Sequence, residues 1–398
     1  MAFPLSWTEA LDTLVNTTLN TYTSDAAWAV NDNGEKLLKK MAERGRVFNE
    51  INDADMIEHP LIVGSDTNWD YYRGSREDSG VTYATGTLTT AQQAPFTMAR
   101  SSIQDVAANL VVPEDILQRP VQKQMDVVEA LVQRQLKQFF REQESYLVTG
   151  TSNAAAAAIS LAPSVVDEAF GAGTDYSIPS FSFLGLALEG CGQASSAQYA
   201  TQAATTRTFM GVDPATVTEW NVYGDFVDDG AKVSLDTNGE TVYEYLQKYI
   251  IQVSRYGMDE MVTDFVVTPE MYEEVLVYLR SKSDINDTVL ANLATATEIP
   301  VAGTMLDFHH FLQNDDNWDI GSQTSAEAVH PIIGLNMNSL RLNMVYGTAD
   351  DQGWLKPISD FLPVDTSTNF FKRLHARCCF SLDNGRRSFV YSDRFKNA

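Results

Sequence analysis

Cysteine is scarce in this sequence. The 398 residues include three cysteines, Cys191 and the adjacent Cys378 and Cys379. Disulfide-stabilised domains carry more cysteines, and structural zinc sites need ligands at short regular spacings that are missing here. We therefore predict reduced, mostly buried thiols. Because neighbouring residues of a strand point to opposite faces, Cys378 and Cys379 are expected to pack apart rather than bond to each other.

Long apolar runs are also absent. No stretch reaches 18 apolar residues, and the most apolar run of small residues, 154–162, is about half as long as a membrane span must be. The N-terminal sequence MAFPLSWTEALDTL lacks a basic flank, and Glu9 and Asp12 stand where a signal peptide has its apolar core. We expect no membrane partner and a soluble, unsecreted chain.

Established catalytic motifs are missing too. The sequence contains no G-x-G-x-x-G, G-x-x-x-x-G-K-[ST], H-E-x-x-H or G-x-S-x-G. The best reactive cluster is Asp307, His309 and His310, which could ligate a metal or shuttle protons. Alternating strand directions favour ordinary histidines at a strand end instead. We expect no catalytic residue, no cofactor and no metal, and a protein that is not an enzyme.

Two acidic runs could in principle bind calcium. They contain Asp225, Asp228 and Asp229 in one case and Asp315, Asp316 and Asp319 in the other. Neither has the ligand spacing or the bidentate glutamate of an EF-hand loop. Both are expected to be solvated acidic loops.

Basic residues are few. The chain has 28 Lys and Arg against 53 Asp and Glu, which gives a formal net charge of −25, whereas residues 351–398 hold eight bases against five acids. The negative field repels phosphates, so sequence-specific DNA binding is not expected. One basic group either contacts an acidic neighbouring copy or is balanced by local carboxylates: Lys372, Arg373, Arg377, Arg386 and Arg387.

What is present indicates a globular chain with two or three cores. Apolar residues make up 44% of the sequence and charged residues 20%. Residues 1–63 carry short helical patterns and are expected to form an arm that packs on another surface. Residues 64–100 combine Gly, Ser and Thr with aromatic strand formers, which predicts one or two extended hairpins. This excursion is too polar to bury itself and needs a partner surface.

A strand and a long helix follow in residues 101–150. IQDVAANLVV is strand-like, and after Pro120 a stripe of apolar residues recurs every three or four positions, including Val128, Val132, Leu136 and Phe139. The predicted helix has about 28 residues at roughly 1.5 Å each and ends at Gly150. Its length suggests a spine for the fold.

The remainder alternates between helix and strand. Residues 151–345 are expected to form a mixed α/β domain, with helices near 242–255 and from Pro269, and strands at 264–268, 299–303, 331–337 and 340–346. Residues 346–398 return to strands. The turn signal Asp383-Asn384-Gly385 predicts that FFKRLHARCCFSL and RRSFVYSDRF form a hairpin.

The order of these parts resembles the major capsid protein of tailed double-stranded DNA phages, the fold shared with herpesvirus capsid floors. The resemblance extends along most of the chain and rests on the strand and helix from IQDVAANLVV to ESYLVTG, on WNVYGDF before a helix, on DFVVTPEMYEEVLVYLR, and on PIIGLNMNSLRL before the closing strands. It implies an α+β fold with an N-arm (1–63), an extended loop (64–100), a peripheral domain with the spine helix (101–150 and 346–398) and an axial domain (151–345).

The resemblance implies self-assembly. Copies would form hexamers and pentamers of an icosahedral virion shell around double-stranded DNA, assembled in the host cytoplasm. Each extended loop would lie across a neighbouring subunit. Aromatic and arginine side chains dominate interface energies, so the predicted contacts in the loop are Trp69, Tyr71, Tyr72, Arg73 and Arg76.

Two departures from the family pattern narrow the expectation. Some relatives lock the shell through a loop lysine, but no lysine occurs between Lys40 and Lys123, so that cross-link is not possible here. The sequence starts at Met1 without a long charged helical prosegment, so a separate scaffolding protein is expected, beside a portal and decoration or minor capsid proteins. The alternatives are an encapsulin-like compartment of the same fold, a tail or adhesion protein, and a soluble α/β enzyme using Asp307, His309 and His310.

Overall fold

The computed structural model describes the chain in segments. These are residues 7–23, 25–51, 56–62, 96–113, 121–149, 223–227, 229–236, 238–256, 261–282, 298–313, 318–319, 328–346, 354–357, 362–363, 369–382 and 389–397, with single positions 182, 183, 186, 187, 210 and 212.

Six helices of eight residues or more lie in the described part of the chain. They are α1 Trp7–Thr23, α2 Ala26–Asn33, α3 Lys36–Glu43, α4 Val121–Thr149, α5 Gly239–Tyr256 and α6 Pro269–Ser281. Local chemistry fixes two of the starts. The Asp25 carboxylate accepts the backbone N–H of Ala27 ahead of α2, and Thr268 caps α6, which opens with Pro269. The predicted spine is confirmed as α4, with 29 residues.

The described strands, numbered along the chain, are β1 Val47–Ile51, β2 Met56–Ile62, β3 Phe96–Ser102, β4 Gln104–Pro113, β5 Tyr223–Asp225, β6 Val233–Ser234, β7 Asp264–Val267, β8 Ile299–Val301, β9 Thr304–Phe308, β10 Val329–Leu335, β11 Leu340–Tyr346, β12 Leu355–Pro357, β13 Leu362–Pro363, β14 Asn369–Leu382 and β15 Phe389–Lys396. They form three sheets.

The six-stranded sheet is built around β14. Strand order is β1-β11-β14-β12, and β4 and β13 also pair with β14. Strand β4 runs antiparallel to residues 369–378 along one edge of β14, while β11 pairs with residues 377–382 along the other. Strand β14 therefore pairs along most of its length with β4, the strand that precedes the spine.

The seven-stranded sheet has the order β5-β15-β10-β7-β9-β8, with β6 also paired to β15. The predicted hairpin of β14 and β15 is thus wrong, because the two strands lie in different sheets. Strand β15 is buried on both faces, with Phe389, Val390, Tyr391 and Phe395 almost fully inaccessible. Such a strand needs covering layers on both sides, and it finds them beside β10.

Sheet membership also differs from the predicted division at 345/346. Strand β11 spans that boundary and belongs to the six-stranded sheet, whereas β15 belongs to the seven-stranded sheet. The third sheet is the antiparallel pair β2–β3, with Met56 opposite Ser102 and Ile62 opposite Phe96. Strand β2 lies within the range predicted as arm. Most of the predicted loop, residues 64–95, lies outside the described residues.

Two large cores hold the described elements together. The first joins the N-terminal helices, the six-stranded sheet, one face of the seven-stranded sheet and the inner stripe of α4. Val128, Val132 and Leu136 of that stripe are buried as predicted. Trp354 packs on Phe139 and Phe140 there, at ring-centroid distances of 5.1 and 5.5 Å. The second core lies between the seven-stranded sheet and helices α5 and α6. The arm helices α1–α3 therefore pack on the spine of their own chain.

Candidate assembly surface

The predicted contact residues fall into two groups. Trp69, Tyr71, Tyr72, Arg73 and Arg76, together with Arg386 and Arg387, lie outside the described residues. Lys372, Arg373 and Arg377 lie on β14, and strand alternation separates them.

Lys372 points inward. It is 1% exposed, its ammonium pairs with Asp12 of α1, and Asn16 Oδ1 accepts a second hydrogen bond at 2.7 Å. A buried ammonium needs such partners. Lys372 therefore holds α1 against the sheet, and its predicted place on a contact surface is corrected.

Arg373 and Arg377 lie on the opposite face of β14, which we call the outer face. It is formed by alternate residues of two paired strands, β4 and β14: Ala107, Asn109, Val111, Phe371, Arg373, His375 and Arg377. Asn109 is paired with Arg373, and both are exposed. Val111 is 42% exposed opposite the half-buried Phe371. The outer face combines apolar and cationic groups on an acidic protein.

The neighbouring part of the same sheet face is covered. Cys379 and Val345 are buried there in a small cluster with Ile57 of β2 and the nearby Ile103. The amide of Asn343 donates to Ser381 Oγ at 2.9 Å beside them. The β2–β3 pair thus packs on this part of the sheet, whereas Ala107, Asn109, Val111 and Arg373 of the outer face are exposed.

The cysteine prediction is confirmed for the described pair. Cys378 and Cys379 are buried thiols that form no disulfide bond, and they belong to clusters on opposite faces of β14. Cys191 lies outside the described residues.

The cluster Asp307, His309 and His310 is engaged in holding elements together. Asp307 pairs with Lys36 and, at 3.0 Å, with Lys40, both on α3. His309 Nδ1 accepts the backbone N–H of Phe311 at 3.2 Å, so its Nε2 carries the proton and donates to Glu144 Oε1 at 2.6 Å. The ring of His310 stacks on His309 at 4.9 Å, and burial, followed by the neighbouring His309, lowers the pKa of His310.

Glu144 has a structural role that the sequence did not reveal. Its carboxylate is buried on α4 and accepts the backbone N–H groups of Leu37 at 2.8 Å and Leu38 at 3.4 Å. These N–H groups belong to the first turn of α3, so they have no acceptor within the helix, and Glu35 forms no side-chain cap. The spine helix therefore caps the arm helix. No local motif encodes this contact, since 107 residues separate Glu144 from Leu37.

One carboxylate in each of the two acidic runs, Asp225 and Asp319, forms an ion pair within the fold. Asp225 is bound by the Arg394 guanidinium at 2.8 and 2.9 Å and accepts from Tyr249, whose burial raises its pKa. Asp319 and Lys232 form an ion pair at 2.5 Å with side chains 0% exposed. The prediction of solvated loops is wrong for these two carboxylates, because distant cations in the fold pair with them.

Potential metal ligands do not cluster in the described segments. No group of three or more His, Cys, Asp or Glu side chains there could hold a metal ion. None of the described helices combines the length and the apolar character that crossing a bilayer demands.

Comparison with solved structures identifies the architecture. The chain matches a chain of the cyanophage A-1(L) capsid asymmetric unit with a TM-score of 0.50 and 14% identity, over 88% of this chain and 90% of that chain. The chain has a phage capsid fold. The predicted α+β tailed-phage capsid fold is thereby confirmed. No protein-family model matches the sequence, and no curated protein does.

Two further solved structures match this chain with lower TM-scores. The capsid of a native GTA particle matches with a TM-score of 0.47 and 10% identity, over 94% of this chain and 91% of that one. The holo-SrpI encapsulin complex from Synechococcus elongatus PCC 7942 matches with a TM-score of 0.44 and 9% identity, over 88% and 85%. TM-scores under 0.5 are too low to support any assignment.

Proposed function

We propose that this protein is the major capsid protein of a tailed phage, which self-assembles through hexamers and pentamers into an icosahedral shell around double-stranded DNA. The observation that carries the proposal is the capsid fold itself, matched over 88% of the chain to a cyanophage capsid. The role is structural and not enzymatic, and the place of the protein is the virion, after assembly in the host cytoplasm.

The outer face supports the proposal as a contact surface. A partly apolar sheet face with Val111 beside Arg373 would promote aggregation of a lone molecule. In a closed symmetric assembly the same face would be a specific contact surface between subunits. Arg373 and Arg377 would meet acidic groups of a neighbouring copy, which the net charge of −25 supplies in excess. The loop residues Trp69, Tyr71, Tyr72, Arg73 and Arg76, and the basic Arg386 and Arg387, remain proposed contacts.

The net negative charge of the protein is also compatible with a shell that encloses DNA. A wall of net charge −25 repels phosphates, so packaged DNA would slide along it without sequence-specific contact. A scaffolding protein, a portal and decoration or minor capsid proteins are the further partners proposed.

Expression of the chain with and without a scaffold partner tests the proposal. Negative-stain microscopy of the purified product should show uniform round particles. Tubes, trimers or monomers under both conditions would contradict it.

A further inference from the structure

Helix α3 contacts two parts of the molecule with two different faces. We call the N-terminal helices, α4 and the six-stranded sheet the first half, and the seven-stranded sheet with α5 and α6 the second half. Leu37, Leu38 and Met41 are buried in the first core, against the spine helix and the six-stranded sheet. Its basic residues Lys36 and Lys40 are four positions apart and are followed four positions later by Arg44, which places all three cations along another side. That side faces the seven-stranded sheet.

The seven-stranded sheet presents two buried carboxylates to these cations. Asp264 starts β7, and Asp307 lies on β9 opposite Val266, so alternation places both carboxylates on one face of the sheet. Their side chains are 1% and 2% exposed. Two carboxylates buried side by side are unfavourable unless cations compensate them.

Lys40 lies between the two carboxylates. Its ammonium is 3.4 Å from Asp264, 3.0 Å from Asp307 and 2.7 Å from Glu298. Arg44 binds the second oxygen of Asp264 at 2.7 Å and also donates to Thr263 Oγ1 at 2.8 Å. Lys36 completes the cluster with Asp307. The cations belong to the first half of the molecule and the aspartates to the second.

A second polar contact crosses the same boundary. Glu144 of α4 accepts from His309, which directly follows β9, and from the first turn of α3. Apolar contacts also cross the boundary, since six buried side chains of the seven-stranded sheet belong to the first core: Val266, Val329, Ile333, Leu335, Phe389 and Tyr391. Apolar contacts are not directional, whereas ion pairs and hydrogen bonds fix orientation.

We propose that the cations of α3 and the pair Asp264 and Asp307 form a clasp that sets the orientation of the seven-stranded sheet relative to the spine helix and the six-stranded sheet. Removing an ion pair of the clasp should let the seven-stranded sheet adopt a wider range of orientations relative to the spine helix, while both cores stay folded. The inference concerns the single chain and does not depend on shell formation.

Distance measurement in the unassembled full chain tests the clasp. Spin labels at Asn109 on β4 and Glu273 on α6 occupy exposed positions in the two halves. The labelled chain carries Cys191→Ser, and the native Cys378 and Cys379 are buried. Lys40→Gln should broaden the distance distribution at least about twofold. Lys39→Gln, which removes an exposed cation from the same helix, should leave it narrow.

A second variant and a folding measurement complete the design. Lys36→Gln, at a half-buried position, should broaden the distribution less than Lys40→Gln, and Lys40→Arg should restore it. Circular dichroism reports whether each variant is folded. Equal distributions in folded Lys36→Gln, Lys40→Gln and Lys39→Gln chains would overturn the proposal. If Lys40→Gln does not fold, an unchanged distribution in Lys36→Gln overturns it by itself.

Discussion

At the scale of single residues, buried charge organises the N-terminal part of the fold. Glu144 satisfies three N–H donors at once, two from the backbone of α3 and one from His309. The buried Lys372 ammonium has the opposite role at α1, where it donates to side-chain oxygens of Asp12 and Asn16. Each of these groups is costly to bury alone, so each marks a contact that the fold must form.

Replacing Glu144 by glutamine tests this role. One carboxylate oxygen becomes an N–H donor facing a backbone N–H, so we expect the free energy of unfolding to fall by about 1–3 kcal/mol. Urea denaturation of the two chains measures the difference. Glu43→Gln, at the exposed end of α3, is the control and should change stability by less than about 0.5 kcal/mol. Equal effects of the two changes would contradict the capping role.

Lys40 gives a prediction for pH. Burial lowers its pKa, but the bonds and charges of Glu298, Asp307 and Asp264 outweigh burial and raise the pKa above the ordinary value. Burial, then Asp307 and Glu298, also raises the pKa of Tyr272. Groups with a raised folded pKa contribute fully below their unfolded pKa, about 10 for Tyr and about 10.4 for Lys, and lose that contribution as the pH rises through the folded pKa.

Stability should therefore not change through these two groups between pH 7 and about 9.5, and should fall above about pH 10. Unfolding by urea across this range measures the effect. The alkaline loss should be smaller in Lys40→Gln than in Lys39→Gln, in which the cluster is intact. An identical alkaline loss in the two variants would show that the raised pKa of Lys40 contributes nothing.

At the scale of helices and strands, periodicity predicted what local sequence determines. The apolar stripe of α4, the proline start of α6 and the strand IQDVAANLVV all lie where the pattern placed them. Periodicity did not predict which strands pair with each other. The Asp383-Asn384-Gly385 signal describes a chain reversal, but β15 pairs with β10 because burial on both faces decides its place. Likewise, the partners of Asp319 and Glu144 are distant in the sequence, so no local pattern could reveal them.

Close packing of α5 and α6 depends on a glycine. A Cβ on Gly239 would lie 2.1 Å from the Glu274 carbonyl oxygen and 3.0 Å from Tyr278 Cβ. Gly239→Ala must push the two helices apart, and we expect it to cost about 1–3 kcal/mol. Gly230→Ala is the matched control, because a Cβ at that position would have no neighbour within 4 Å. Thermal unfolding of both variants measures the difference, and equal midpoints would contradict the tight contact.

At the scale of the whole molecule, the sequence revealed the order of the parts but not which surfaces remain available. Order alone was enough to indicate the α+β capsid fold, which the structural comparison confirms. Strand alternation on β14 then divided the predicted basic group, with Lys372 inside and Arg373 outside. Burial of a lysine under α1 could not be predicted before the position of α1 was known.

The outer face gives a prediction about assembly. Arg373→Glu places an acid where we propose that an acidic neighbour binds, so particle yield should fall at least about tenfold, consistent with loss of about 1.4 kcal/mol per contact. Sedimentation velocity measures the fraction of chains in particles. Lys39→Glu makes the same change of charge at an exposed position of α3 and should assemble normally. Normal assembly of Arg373→Glu would remove Arg373 from the proposed interface.

An electron cryomicroscopy reconstruction of the particles formed by the unmodified chain tests the central claim most directly. We predict a closed icosahedral shell of hexamers and pentamers, in which the extended loop of one subunit, from residue 64 to about residue 95, lies against the outer face of the next. A lone molecule with this loop folded back on its own sheets, or an open tube, would contradict the account.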